Sequence, residues 1–364
     1  MPMNFAEEHG GNIHRASEVL GRGIHEILDF SANINPLGIP PALKEALIAN
    51  IDAMMHYPDP EYRRLRSRLS DYTGVPSGSI IPGNGSSELI FLLLRVLKPK
   101  DMLIPAPSFS EYEKAAADAG ITMSFFELRE DEGFRLNTER LTRELSAGIE
   151  CVLLCNPNNP TSTLATYEEM KLIVEHACRC RTMVIIDEAF IELTVGGASN
   201  SVVDLVKKYD NLFIIRAFTK VFAVPGMRLG YGVGREELVA RMRLKQQPWS
   251  VNSLAACAGD FLAEAGEYLH RTSAWLAEEK EWLYKGLRDI RGVEVFRPDS
   301  NFVLLRLPDT GPDSGTLKDR MAKKGVLIRD ASNFRFLSKR YIRVAVRDRA
   351  SNRRLIEALK EEML

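Results

Sequence analysis

Three apolar runs in the middle of the chain each stop abruptly at polar residues. Val152-Leu153-Leu154-Cys155 runs into Asn156-Pro157-Asn158-Asn159-Pro160-Thr161. Val184-Ile185-Ile186 runs into Asp187-Glu188-Ala189-Phe190, and Phe213-Ile214-Ile215 into Arg216-Ala217-Phe218-Thr219-Lys220. Runs this short and this apolar suit strands buried on both faces. Helical patterns at residues 86–97, 111–119, 166–178 and 202–208 alternate with strands at 102–104, 151–155, 183–186, 212–216 and 228–233. That alternation predicts an α/β fold, with a mostly parallel sheet sandwiched by helices.

After residue 250 the pattern changes. A long helical stretch over 254–288, broken near Gly266, precedes strands at 293–296 and 302–307. A helix at 317–324, a strand at 341–346 and a last helix at 352–364 complete an α+β pattern. A chain of 364 residues has room for two domains. The expected division is an N-terminal arm over 1–40 that contributes to the substrate pocket and the small domain, a large domain over 41–260, and a small C-terminal domain over 261–364.

Composition removes several function classes. The 48 Lys+Arg nearly balance 49 Asp+Glu, so the chain lacks the basic excess of a nucleic-acid binder. Five cysteines without a Cys-x-x-Cys pair fit neither a disulfide framework nor a zinc ribbon, and no metal site is expected. The acidic start Met1-Pro2-Met3-Asn4-Phe5-Ala6-Glu7-Glu8 is no signal peptide, and the apolar runs are too short to span a bilayer. A cytoplasmic enzyme is expected.

In an open parallel sheet, ligands bind beyond the carboxyl ends of the strands. Asn159, Asp187 and Lys220 would then face one crevice. An amide, a carboxylate and an amine together suit pyridoxal 5'-phosphate: carboxylate for the pyridine nitrogen, amide for the phenolate oxygen, lysine for the Schiff base. Gly83-Asn84-Gly85-Ser86-Ser87-Glu88, ahead of an apolar helix, offers free N–H groups to a phosphate. Arg228, eight residues past Lys220, could pair with the same phosphate, and Phe109 could stack on the ring. Gly230-Tyr231-Gly232-Val233-Gly234 resembles a dinucleotide fingerprint only in part. Glu237 stands where its third glycine belongs, so a nicotinamide enzyme is rejected.

These motifs in this order resemble the fold-type I pyridoxal-phosphate enzymes, and most closely their histidinol-phosphate aminotransferase branch. Within that branch, three stretches are similar to the threonine-phosphate decarboxylase family of cobalamin biosynthesis: His9-Gly10-Gly11-Asn12-Ile13, Phe30 to Gly38, and Pro248-Trp249-Ser250-Val251-Asn252. The resemblance implies Lys220 as the Schiff-base lysine, with Asp187 on the pyridinium and Asn159 on the phenolate. It implies Gly85, Ser86, Ser87, Thr219 and Arg228 around the phosphate, and Phe109 on the ring. Tyr57 would reach the phosphate from the neighbouring subunit of a homodimer. His9, Asn33, Arg329 and Arg343 would line a pocket for a phosphorylated amino acid. Arg343 alternates with Ile342 and Val344, so it would point away from the core those residues enter.

Three departures from the family pattern stand out. Ala217 lacks the hydroxyl often found three residues before the lysine. Ser162 replaces a glycine, which puts the turn geometry in question. Phe190 stands where many aminotransferases carry a tyrosine that bonds the phenolate, and phenylalanine cannot make that bond. The decarboxylase family shares this phenylalanine, so decarboxylation of L-threonine O-3-phosphate is the expected activity. An aminotransferase for histidinol phosphate or aromatic amino acids, a decarboxylase of L-serine O-phosphate, and a non-catalytic binding domain are the alternatives.

Overall fold

The computed structural model describes residues 10–363. Its strands are, in chain order, β1 (Leu28–Asp29), β2 (Ile80–Asn84), β3 (Asp101–Ala106), β4 (Thr122–Glu127), β5 (Cys151–Cys155), β6 (Met183–Asp187), β7 (Leu212–Ala217), β8 (Leu229–Gly234), β9 (Glu294–Val295), β10 (Phe302–Arg306), β11 (Val326–Leu327), β12 (Arg329–Asp330) and β13 (Tyr341–Ala345). Seven of them form one mixed sheet in the order β2-β8-β7-β6-β5-β3-β4. β8 runs antiparallel to both of its neighbours, and the rest are parallel. The chain passes from β3 outward to β4 and then returns to the other side of β3 as β5. The strand order therefore reverses between β3 and β5, where a crevice opens at the carboxyl ends.

Both faces of this sheet are dry, as the uninterrupted apolar runs predict. Val152, Leu154, Val184, Ile186, Leu212 and Ile214 pack with Met170, Ile173, Val174 and Ala177 of the helix Tyr167–Cys180. Leu153, Ile185, Phe213 and Ile215, one residue out of phase, pack with the helices Gly85–Leu97 and Glu236–Arg243. Reciprocal capping starts the helix Tyr167–Cys180: Glu169 N donates to Thr166 Oγ1 at 3.3 Å, and Thr166 N donates to Glu169 Oε2 at 2.7 Å.

A four-stranded sheet, β12-β13-β10-β9, forms the small C-terminal domain. One of its faces, with Val303, Leu305, Ile342 and Val344, packs on the helices Ser314–Lys323 and Arg349–Glu362. The other face, with Phe302, Leu304 and Tyr341, packs into the large-domain core. The N-terminal stretch joins the small domain through β1, which pairs in parallel with β11.

Two elements differ from the pattern read in the sequence. The break in the long helical stretch is a 3-10 segment at Ala258–Glu264, and Gly266 lies in the first turn of an intact helix, Ala265–Arg288. The segment read as a helix over 202–208 is a 3-10 turn, Val203–Lys207. Among the described residues no helix is long and apolar enough to cross a membrane, and no group of His, Cys, Asp or Glu could hold a metal ion.

Candidate active site

A cavity of about 370 Å³ lies at the carboxyl ends of β3, β5, β6 and β7. Ser86, Ser87, Phe109, Asn159, Asp187, Thr219, Lys220, Arg228, Asn33, Arg329 and Arg343 all line it. Gly85 is not among the lining residues; it opens the helix Gly85–Leu97 with φ +75°, and a Cβ there would come within 2.5 Å of Arg228 Nη2. Tyr57 is not among the lining residues. It is 80% exposed and packs on Trp249 with ring centroids 4.7 Å apart. His9 lies outside the described residues.

Asp187 ends β6 and is buried. Tyr112 Oη donates to its Oδ2 at 2.8 Å, and Ala189 N donates to its Oδ1 at 2.9 Å. Burial pushes the carboxyl up from its ordinary value, against the pull of these two donors. Lys220 sits in the one-turn helix Phe218–Val221 directly after β7. Asn35 holds that turn: its N donates to Lys220 O at 3.1 Å and its Nδ2 to Val221 O at 2.8 Å. Burial lowers the Lys220 ammonium to about 8, helped by the charges of Arg343 and Arg228 and opposed by Asp29. The amine is thereby partly neutral near physiological pH, as a nucleophile requires.

The small domain supplies the facing wall. Arg343 Nη1 donates to Asn159 Oδ1, and Nη2 donates to Ser31 O at 2.8 Å. Arg343 does point away from Ile342 and Val344, but that face meets the cavity and the large domain instead of solvent. Arg329 lies directly opposite it in the β12–β13 ladder. Its Nη2 donates to Asn333 Oδ1 at 2.7 Å, and its guanidinium sits 5.2 Å from the Phe334 ring centre. Both arginines are buried, so neither is a surface charge. Like charges facing each other across a ladder are unfavourable. Burial, then Arg329, lowers the Arg343 guanidinium to about 9. An anion between the two would relieve both effects.

The departures from the family pattern resolve locally. Ser162 adopts φ +65°, the left-handed conformation that glycine favours. Its buried hydroxyl accepts from Ser300 N at 2.9 Å, and its own N donates to Asn158 O at 2.7 Å, which offsets the strain. Phe190 lines the cavity and meets Phe302 edge-on with ring centroids 5.2 Å apart. It offers no donor there.

The cavity also holds residues to which the sequence reading assigned no role. Tyr112 is one, hidden in the helix Glu111–Asp118. Gly10, Cys155 and Phe334 also line the cavity, and burial pushes the Cys155 thiol up to about 12, leaving it a neutral group. Behind the cavity lies a buried ion cluster. Arg216 Nη2 donates to Glu192 Oε1, and Arg216 Nε lies 3.9 Å from Glu188 Oε2. Ser201 Oγ and Val202 N donate to Glu188 at 2.5 and 3.0 Å.

This fold and this lysine-centred cavity define a group-transfer enzyme of known type. The chain belongs to the aminotransferase class I and II family, which it matches over residues 25–359. It is 39% identical to the threonine-phosphate decarboxylase of Salmonella typhimurium, over 98% of this chain and 96% of that protein. The crystal structure of L-threonine-O-3-phosphate decarboxylase from Porphyromonas gingivalis is 28% identical, with a TM-score of 0.82 over 92% of this chain and 99% of that one. The histidinol-phosphate aminotransferase from Clostridium acetobutylicum is 35% identical, with a TM-score of 0.86 over 93% of this chain and 99% of that one.

The residues present fit pyridoxal 5'-phosphate. Asp187 is a buried carboxylate whose charge is opposed by burial and, among the described residues, matched by no neighbouring cation, so a protonated pyridine suits it. Lys220, Arg228, Arg329 and Arg343 outnumber Asp187 and Glu111 along the cavity wall, which suits anionic ligands. Only the neutral amine of Lys220 attacks a carbonyl. Covalent uptake of pyridoxal phosphate by apoenzyme, followed by visible absorbance, is therefore expected to quicken with rising pH and level off above about 8. In Arg343→Gln the lowering charge is gone, and the midpoint moves to higher pH; an unchanged or lower midpoint contradicts the assignment.

Proposed function

We propose that the chain is a threonine-phosphate decarboxylase with pyridoxal 5'-phosphate as cofactor. It converts L-threonine O-3-phosphate and a proton into carbon dioxide and (R)-1-amino-2-propanol O-2-phosphate, the linker of the cobalamin nucleotide loop. The likeness to the Salmonella typhimurium enzyme over 98% of the chain carries this reading.

Pyridoxal phosphate, when bound, would supply an electron sink for the bond broken at Cα of the substrate. Lys220 would attach it, Asp187 would hold its ring nitrogen protonated, and Asn159 would meet the phenolate oxygen. Gly85, Ser86, Ser87, Thr219 and Arg228 would hold its phosphate, while Phe109 would cover the ring. Arg329 and Arg343, with Asn33 and His9, bind the substrate's phosphate and carboxylate. Two guanidiniums opposite one another suit a substrate that carries two anionic groups. By gripping the phosphate, these residues would orient the substrate so that its carboxylate, and not its Cα proton, is the group lost. Orientation of this kind is worth several kcal/mol of barrier. Asn33 Oδ1, buried on the cavity wall with no partner among the described residues, supports a ligand that offers a hydrogen-bond donor there. Phe190 removes one phenolate donor, which favours the lyase over transamination.

The enzyme acts in the cytoplasm as a homodimer with shared sites. All five cysteines are free, in keeping with a reducing compartment. Ile51, Met54, Met55, Tyr57 and Trp249 are exposed, and the turn Ile51–Met55 rests against the helix Ser253–Cys257. An apolar patch of this kind suits burial against a second copy, from which Tyr57 reaches the neighbouring phosphate.

Incubation with L-threonine O-3-phosphate and no keto acid is expected to release carbon dioxide. Turnover that appears only with 2-oxoglutarate would show an aminotransferase instead. Mixing Tyr57→Phe with Lys220→Ala subunits is expected to yield heterodimers more active than either parent; no gain on mixing refutes the shared site.

A further inference from the structure

Tyr112 has no part in the reading above, yet it touches two groups that reading depends on. It is 1% exposed and lies one residue into the helix Glu111–Asp118. Its hydroxyl donates to Asp187 Oδ2 at 2.8 Å. Its ring meets Phe109 edge-on, with centroids 5.6 Å apart and planes at 84°. Its backbone N donates to Phe109 O at 3.2 Å.

A phenol has one proton to give. Donated to a carboxylate, it favours the charged form and fixes the plane of the acceptor. Among the described residues the only other donor on Asp187 is Ala189 N, on the opposite oxygen. No cation among them stabilises the charge, and burial opposes it. The hydroxyl is therefore the one described side-chain group that keeps Asp187 ionised.

We propose that Tyr112 is a positioning residue for Asp187: its hydroxyl keeps the carboxylate charged and aimed, so that the ring nitrogen of bound pyridoxal phosphate stays protonated. The inference rests on Asp187 being the partner of that nitrogen.

Tyr112→Phe tests it, because the ring and its packing on Phe109 are kept and only the hydroxyl is lost. Two quantities are read in the reconstituted protein: the nitrogen-15 resonance of ring-labelled pyridoxal phosphate, and the dissociation constant of the cofactor. The resonance is expected to move toward the unprotonated value, and affinity to fall about tenfold. In an Asp187→Asn background the same substitution should change neither quantity further. A resonance that stays at the wild-type protonated value in Tyr112→Phe overturns the inference, whatever happens to thermal stability. An unprotonated nitrogen in the wild type overturns the reading of Asp187 itself.

Discussion

A buried guanidinium holds the two business ends of the sheet together. Arg216 lies on β7 four residues before Lys220, and Glu188 follows Asp187 at the end of β6. Burial works against the Arg216 charge, but Glu192 and Glu188 more than restore it. Glu188 is tied in turn to Ser201, to Val202 N and, through its own N, to Ile215 O at 2.8 Å on β7. Leaving any one of these charges unpaired in so dry a place costs several kcal/mol. The cluster therefore tolerates little sliding of β6 against β7, and the spacing between Asp187 and Lys220 inherits that rigidity.

The cavity in front of this cluster is built on the opposite principle. Its charges are set against burial or against like neighbours. Arg329 and Arg343 face each other across one ladder, Lys220 is depressed by both Arg343 and Arg228, and Asp187 is opposed by burial. Each imbalance matches a feature of an anionic ligand or of a protonated ring. Strain of this kind persists only on a rigid frame, which the ion cluster and the two dry faces of the sheet supply. Asn35 adds a second restraint: it pins the lysine turn from the N-terminal segment, which also pairs with the small domain through β1.

Local motifs were legible in the sequence because each is a continuous stretch with its own chemistry. The three strands that end at Cys155, Asp187 and Ala217 are apolar runs followed by polar residues, and the helix Gly85–Leu97 opens on a glycine. β2 is not legible in this way, because Pro82 and Gly83 interrupt it; the fold tolerates them at the sheet edge. The alternation around Arg343 correctly indicates which way its side chain points, but not that a second domain lies there. Tyr112, Asn35 and the Arg216 cluster were invisible, because each acts through partners 75, 186 and 24 residues away. Ser162 was legible only as an anomaly. That it keeps the turn depends on Ser300, which reaches it from 138 residues further along.

The account as a whole requires that one amine carry the cofactor. Borohydride reduction of the holoenzyme, followed by digestion and peptide mass mapping, reads this directly. The reduced pyridoxyl-phosphate increment is expected on Lys220 and to vanish in Lys220→Ala. An increment found on another lysine, or a protein that stays colourless and unmodified in excess pyridoxal phosphate, would contradict the account.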